Sequence, residues 1–307
     1  MTDACSGSIV LCVTTLPPVQ KAILETLAYS DVFDYPLTFD ELHRYLTVSA
    51  PRADLEACLS DMSFVSTESG FYFLADRDET VRVRMAREQA SRITFQRACR
   101  YGYFLGSLPF VRMVTLTGSL AMLNLSRDAD MDYMLVTQPG RLWLARAFAV
   151  TFGRLMRLLG DRICVNLLIS ESTLEWSSHD LYSAREMCQM IPVTSMDVYS
   201  RLRKANAWIE NYLPNATSVP QHAPEVRASV SWLQKFIEIL LRGKFGDILE
   251  NRVMDFQMNK IYRTYGKGQE ANFSTDLCQG NFNNHRAWTD QFFHERLALL
   301  VEGESKS

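Results

Sequence analysis

Two aspartates, Asp130 and Asp132, are separated by one residue at the start of an apolar segment, Met131 to Thr137, whose composition predicts a β-strand. Because side chains on a strand alternate between its two faces, both carboxylates are expected to project to the same side. Two anionic groups held this close repel each other unless a cation lies between them. A divalent cation such as Mg²⁺ suits the pair, since it binds carboxylate oxygens together with the phosphate oxygens of a nucleotide.

A phosphate site is predicted upstream of the acid pair, at Gly118 and Ser119, where the apolar strand from Val111 to Thr117 gives way to a short helix. The absence of a side chain at Gly118 lets the backbone approach a phosphate closely. The Ser119 hydroxyl and the free N–H groups of the following turn can donate hydrogen bonds to that phosphate. The phosphate site and the acid pair together predict a binding site for a nucleoside triphosphate.

The spacing Gly118-Ser119, ten residues, Asp130-x-Asp132 resembles the signature of the DNA polymerase β-like nucleotidyltransferase superfamily. The resemblance is most specific over residues 113–137, and the order of elements extends it to the strand that ends near residue 170. It implies that Gly118 and Ser119 hold the triphosphate and that Asp130 and Asp132 bind Mg²⁺, or Mn²⁺ in its place. The implied reaction transfers a nucleoside monophosphate from an NTP, expected to be ATP, to an acceptor and releases pyrophosphate.

The next strand departs from the pattern of this family, whose active members usually carry a third carboxylate there. This sequence has Asn166 in the stretch Ile163-Cys-Val-Asn-Leu-Leu. An amide oxygen can still bind a metal, but it cannot take a proton at neutral pH. Either another acid replaces the missing one, or the chain is a degenerate member that binds nucleotide or a protein partner without catalysis. The available acids are Asp128, Glu171 and Glu186.

Charge is distributed unevenly, although the formal net charge of the chain is only −3. Residues 1–80 hold thirteen acidic and four basic residues, whereas residues 81–112 hold seven arginines and one glutamate. The acidic head argues against binding of a nucleic-acid backbone, which depends on basic side chains. The basic segment is either an anion site, with Arg92, Arg97 and Arg100 as candidates, or a helix face paired with the acidic head.

Hydrophobic periodicity and turn residues divide the chain into three predicted domains. Residues 1–79 contain three helices and a hairpin and resemble a winged helix, but the third helix is acidic, so we expect it to mediate packing or protein contacts rather than to bind DNA. Residues 80–170 hold a long basic helix and a β-α-β-α-β core. Residues 171–307 are predicted to be helical, with a polar loop from Lys267 to Asn284. The predicted class is α+β, a small mixed-sheet nucleotidyltransferase core between a winged-helix-like module and a helical C-terminal domain.

Composition excludes several classes of protein. With 47% hydrophobic residues the chain can bury a core, which excludes disorder. The seven cysteines are scattered and form no CxxC pair, as expected for reduced thiols of a cytoplasmic protein rather than for a disulfide frame or a zinc site. The motifs of P-loop ATPases, Rossmann dehydrogenases, zincins and α/β-hydrolases are missing.

The expected partners are a nucleoside triphosphate and an acceptor, which no motif identifies as a small molecule, a protein or RNA. No membrane partner is expected, since no apolar run reaches the ~18 residues of a spanning helix. The five tryptophans are interpreted as core anchors, any of which could stack on a base. They are Trp143, Trp176, Trp208, Trp232 and Trp288.

Overall fold

The structure is a computed structural model that describes residues 16–126, 130–226, 231–266, 270–281 and 284–303. The described residues combine helices with a three-stranded sheet and a six-stranded mixed sheet, which is compatible with the predicted α+β class. Among them, no helix combines the length and the apolar character needed to cross a bilayer.

The N-terminal region contains three helices and three short strands. Its elements are α1 (Pro18–Asp31), β1 (Leu37–Thr38), α2 (Phe39–Arg44), α3 (Arg52–Leu59), β2 (Val65–Glu68) and β3 (Phe71–Leu74). Helix α2 begins in a capping box, because the Thr38 hydroxyl accepts a hydrogen bond from the Glu41 N–H and the Glu41 carboxylate accepts one from the Thr38 N–H. Strand β3 lies between β1 and β2 and pairs with both in antiparallel fashion.

The arginine-rich segment forms one long helix, α4 (Glu79–Gly106), and part of it pairs with the acidic head. Arg84 Nη2 lies 3.1 Å from Glu41 Oε1, and Arg87 Nη2 lies 3.5 Å from Asp34 Oδ2. The first third of α4 thus forms ion pairs with acids of the N-terminal region. For this part of the basic segment, the interpretation as a helix face paired with the acidic head is confirmed.

The second sheet has six strands, namely β4 (Val111–Thr117), β5 (Met131–Thr137), β6 (Ile163–Ser170), β7 (Ile191–Pro192), β8 (Glu270–Phe273) and β9 (Leu277–Asn281). Their order in the sheet is β7-β4-β5-β6-β9-β8. Strands β4 and β5 are antiparallel, whereas β5 and β6 are parallel and are joined by helix α6 (Leu142–Arg157). The parallel pair requires such a crossover helix.

The helices not yet described are α5 (Gly118–Ala121), α7 (Leu181–Gln189), α8 (Met196–Ala205), α9 (Trp232–Leu240), α10 (Gly243–Tyr265) and α11 (His285–Gly303), with a 3₁₀ turn at Ala207–Asn211. The two faces of the sheet contribute to two apolar clusters. Met134 and Val136 of β5 pack in a cluster with α1, α7 and α8, while Tyr133 and Leu135 pack with α4, α6 and α10. Asp132 therefore projects toward the side of α1 and α7, since it shares the parity of Met134.

The predicted loop from Lys267 to Asn284 is wrong, because β8 and β9 form an antiparallel hairpin there that pairs with β6. Residues 267–269 and 282–283 lie outside the described residues. The hairpin is polar on its open side and buries Cys278 against the core, so its sequence lacks the long apolar run that marks a central strand. The division of the chain into three domains stays a prediction, and these strands of the third segment extend the sheet of the second.

The tryptophans are core anchors only in part. Trp143 is fully buried in the cluster beneath α6, and Trp176 and Trp208 pack against the other cluster. Trp232 is 79% exposed and Trp288 is 42% exposed, so the interpretation was wrong for these two. Trp232 lies on the amphipathic helix α9, where periodicity alone does not show which apolar face meets the core. Trp288 lies near the start of α11 and contacts the rings of Phe33 and Phe292.

Candidate functional site

The Gly-Ser segment and the acid pair meet at one corner of the six-stranded sheet. Thr117, the last residue of β4, pairs directly with Asp132 near the start of β5. Helix α5 begins at the next residue, Gly118, which has φ +65°. A Cβ atom built on Gly118 would lie 2.7 Å from Asp132 Oδ2. The corner therefore needs glycine twice, for its left-handed backbone and for the space that the Asp132 carboxylate occupies.

Gly118→Ala is expected to lower the free energy of unfolding by about 2–4 kcal/mol, because it adds a clash with Asp132 to the strain of a left-handed alanine. Gly140→Ala is the matched control, since Gly140 has φ +69° and nothing within 4 Å of its added Cβ. The control is expected to cost about 1 kcal/mol, the strain alone. Urea unfolding of both variants measures the difference, and equal losses would contradict the close approach of Asp132.

Asp132 is largely buried and lies beside polar groups of β6. Its register partner is Cys164, whose thiol hydrogen-bonds to the carboxylate. The Asn166 side-chain amide donates a hydrogen bond to Asp132 Oδ1 over 3.4 Å. Burial, followed by the charge of Asp130, raises the pKa of Asp132 to about 7. Burial and the neighbouring carboxylate also raise the pKa of Cys164, to about 12, so this thiol stays protonated.

Asp130 lies just before β5 and is paired with an arginine. Arg162 Nε lies 2.9 Å from Asp130 Oδ1, and both side chains are nearly half exposed. The same arginine offers its backbone carbonyl to the N–H of Met131. The structure thus brings the two aspartates close enough for the charge of one to raise the pKa of the other, and it gives a cationic partner only to Asp130.

Ser119 is partly exposed in the first turn of α5. Its carbonyl accepts hydrogen bonds from the N–H groups of Met122 and Asn124, which close the turn. Its hydroxyl makes no hydrogen bond to any described residue, so it is available to a ligand at the corner.

Asn166 lies at an irregularity in β6. Tyr133 pairs with Val165, but Met134 pairs with Leu167, so Asn166 is an extra residue in the parallel ladder. A bulge of this kind re-aims a side chain and is often found beside active sites. Because of the extra residue, Leu167 packs on the side of Met134 while the Asn166 amide still reaches Asp132.

The three acids that could replace a carboxylate at Asn166 have different surroundings. Asp128 lies outside the described residues. Glu171 follows the far end of β6 and is paired with Arg201. Glu186 lies on α7, which contacts α5, and its charge contributes to the raised pKa of Asp132. Burial raises the pKa of Glu186 itself to about 7.

Two of the three arginines considered for anion contact are already paired with acids. Arg92 pairs with Glu88 and Arg97 pairs with Asp161, while Arg100 is exposed on α4. Arg162, which the sequence analysis did not single out, is a basic side chain that pairs with Asp130. The sequence alone does not place Arg162 beside Asp130. The parallel register of β5 and β6 does so, because Arg162 precedes β6 by one residue, as Asp130 precedes β5.

Within the described ranges, no group of three or more His, Cys, Asp or Glu side chains has the geometry to hold a metal ion. The candidate site is therefore a pair of carboxylates. Comparison of the chain with protein-family models, with curated proteins and with solved structures finds no match. Its function must be inferred from its own residues and geometry.

Proposed function

We propose that the chain is an Mg²⁺-dependent nucleotidyltransferase of the DNA polymerase β-like superfamily, which moves a nucleoside monophosphate from an NTP, expected to be ATP, to an acceptor. The observation that carries the proposal is the corner itself, where the end of β4 and the start of β5 place Gly118 against the Asp132 carboxylate. This adjacency is what the resemblance requires of a Gly-Ser turn and an Asp-x-Asp strand.

The Gly118–Ser119 turn is suited to bind the triphosphate. The φ of +65° at Gly118 turns the chain sharply out of β4, and the absence of a side chain leaves the backbone open to a phosphate. The free Ser119 hydroxyl and the N–H groups of the first turn of α5 are donors for its oxygens. The turn would orient the α-phosphorus for attack.

The acid pair fits a divalent cation. Asp132 carries a buried carboxylate whose ionised form is unfavourable in the free protein, and no basic side chain lowers its pKa. Mg²⁺ is commonly bound by one or two carboxylates together with substrate phosphates, so a cluster of three acids is not required. When bound, Mg²⁺ supplies charge stabilisation for the triphosphate and for the departing pyrophosphate. Asp130 and Asp132 are the residues that would hold it.

The transfer forms a bond between the acceptor oxygen and the α-phosphorus, breaks the bond to the β-phosphate bridging oxygen and releases pyrophosphate. The acceptor proton must go to a base. Asn166 cannot take it, since an amide is not basic at neutral pH. Glu186 is the acid of the described residues that combines proximity to Asp132 with a pKa of about 7, which suits a general base.

Glu186→Gln is therefore expected to lower the rate of transfer by about 10²-fold or more, because the acceptor loses its base, while nucleotide affinity stays nearly unchanged. Glu175→Gln is the matched control, since Glu175 is 64% exposed and lies before α7. Single-turnover transfer and equilibrium nucleotide binding are measured for both variants. A Glu186→Gln protein with full activity would show that another group takes the proton.

The alternative function is nucleotide binding without turnover. Two observations favour it, namely the amide at position 166 in place of an acid and the ion pair that already engages Asp130. In that case the chain would act as a nucleotide sensor or a protein partner.

The test is calorimetry with Mg²⁺ and ATP on the full chain, followed by incubation with α-labelled ATP and separate pools of proteins, RNA and small molecules. Labelled acceptor with an equal amount of pyrophosphate supports the enzyme. Tight binding without pyrophosphate release supports the alternative. Absence of Mg²⁺-dependent nucleotide binding would contradict the enzyme and the nucleotide sensor, and would leave only a degenerate member that binds a protein partner.

The N-terminal region resembles a winged helix in the order of its elements and in the central place of β3. Asp54 and Glu56 are exposed on α3, the helix that would enter a DNA groove. Arg44 of α2 donates to the carbonyl of Cys188, and the Tyr35 hydroxyl donates to the carbonyl of Met122 just after α5. These contacts support a packing role for the module beside the candidate site rather than DNA binding.

A further inference from the structure

Helices α9 and α10 expose an unusual number of large apolar side chains. Trp232 is 79% exposed, and the others are between 49% and 68% exposed. We call these eight side chains the α9–α10 apolar face. They are Trp232, Leu233, Phe236, Ile239, Leu240, Phe245, Ile248 and Phe256.

On α9 the exposed side chains form one stripe, since positions 232, 236 and 240 recur at helical spacing. The opposite side of the helix is fixed to the protein. The Gln234 side chain donates to the carbonyls of Leu108 and Val111, and Glu238 pairs with Arg112. The apolar stripe therefore points away from the core, and a rotation of the helix that buried it would break these contacts.

Helix α10 is oriented in the same way. Its inner side is held by Glu250, which accepts hydrogen bonds from the N–H groups at the start of α6, and by Gln257, which donates to the carbonyl of Trp143. Phe245, Ile248 and Phe256 lie on the outer side and are all more than half exposed.

The size of the face excludes an ordinary surface. The five exposed side chains of α9 form one contiguous stripe, and at these exposed fractions they expose on the order of 500 Å². The largest apolar patch of a typical monomer is about 300–600 Å² and is often functional, so the α9 stripe alone reaches that size and α10 adds three more side chains. The face is large enough to need a partner.

Charge selects the kind of partner. Six basic side chains accompany the face, and none forms an ion pair with a described residue. They are Lys235, Arg242, Lys244, Arg252, Lys260 and Arg263. Four acids lie on these helices. Glu238 and Asp247 are paired with arginines, Glu250 is bound to backbone N–H groups, and Asp255 is exposed without an ion pair to a described residue. Six unpaired basic side chains against one unpaired acid leave the surroundings of the face positive, although the whole chain is at −3.

We propose that the α9–α10 apolar face lies on an anionic lipid surface, with Trp232 and the phenylalanines inserted at the headgroup level and the basic side chains on the headgroups. Amphipathic helices with aromatic and basic residues bind this way without spanning the bilayer. The sequence-based expectation of no membrane partner considered only segments that span the bilayer, so it does not apply to this mode of binding. A second copy of the chain is a poorer occupant, because its face carries the same positive charge.

The test is flotation of the full chain with vesicles of pure phosphatidylcholine and with vesicles containing about 30% phosphatidylserine. The parent protein is expected to float with the anionic vesicles only, and to be released near 1 M salt, where the Debye length is about 3 Å. Phe236→Ser combined with Ile239→Ser is expected to weaken binding at least about tenfold through lost apolar burial. Lys235→Gln with Lys244→Gln is expected to weaken it about fivefold for each charge.

Ile93→Ser is the matched control, because Ile93 is 74% exposed on α4, outside the face, and its variant should bind like the parent. Thermal melting of all variants checks that they fold. Failure of the parent to float with anionic vesicles would overturn the proposal. A second result would also overturn it: the parent protein forms a dimer in solution, does not bind vesicles, and is dissociated by the double variant Phe236→Ser with Ile239→Ser. The face would then be a protein interface.

Discussion

Asp132→Asn is expected to abolish nucleotidyl transfer while making the metal-free protein more stable. The carboxylate lies against Gly118 and beside Asn166, so no other acid of the described residues can take its exact place. Loss of a charge at the reacting phosphate is expected to lower the rate on the order of 10³-fold or more. The assay is transfer from α-labelled ATP in Mg²⁺, compared with the parent chain.

The gain in stability follows from the ionisation of the same group. Burial and the charge of Asp130 raise the pKa of Asp132 from 3.8 to about 7, so the ionised form is less stable in the folded chain than in the unfolded chain. This penalty develops as the pH rises from 3.8 to 7 and is complete above pH 7. In EDTA, the variant is expected to gain on the order of 1–3 kcal/mol at pH 8 and little at pH 4.

Urea unfolding at the two pH values measures this difference. Asp197→Asn is the control, since Asp197 is 83% exposed and should change neither property. Undiminished transfer by Asp132→Asn would show that Asp132 is not the metal ligand. Equal stability of variant and parent at pH 8 would show that the Asp132 carboxylate is better solvated than its surroundings indicate.

Arg84→Met is expected to cost about 3–5 kcal/mol of unfolding free energy, the largest stability loss that we expect from a single charged residue here. The Arg84 side chain is 5% exposed, and its guanidinium carbon lies 3.6 Å from the ring centre of Tyr35. Its Nη2 lies 3.1 Å from the Glu41 carboxylate in the capping box of α2. Methionine fills part of the volume of the Arg84 side chain, but it leaves the mostly buried Glu41 carboxylate without a cationic partner.

Arg92→Met provides the comparison on the same helix. Arg92 is 65% exposed and pairs only with Glu88 one turn away, so its loss is expected to cost at most about 0.5 kcal/mol. Urea unfolding followed by circular dichroism measures both variants. Similar small losses would mean that α4 and the N-terminal region are less tightly coupled than the ion pair implies.

The candidate site could be predicted from the sequence because its parts are local. A glycine after one strand and two acids at the start of the next need only the alternation of side chains and the pairing of consecutive strands to meet. The neighbours of Asp132 could be predicted only in part. The resemblance pointed to Asn166 as the residue at the position of the missing acid, but the sequence could not choose Glu186 among three acids, because it comes from a helix about fifty residues away from the acid pair along the chain.

The predicted secondary structure is confirmed where the apolar pattern is strong, as in β4, β5 and α6, and also for the long basic helix α4. It was wrong for β8 and β9, since an edge hairpin needs few apolar residues and Phe273 and Leu277 are separated by a turn that resembles a loop. It also could not tell the inner from the outer face of α9, because both carry apolar residues and only the Gln234 and Glu238 contacts decide between them.

The position of β9 has a consequence for biosynthesis. Strand β6 pairs with β5 on one side and with β9 on the other, and β9 is made more than a hundred residues after β6. While the ribosome translates the intervening helices, the outer edge of β6 carries unpaired backbone groups beside an apolar surface. Nascent chains in this state are prone to aggregate, so a chaperone that shields β6 until β9 emerges would raise the yield of the folded protein.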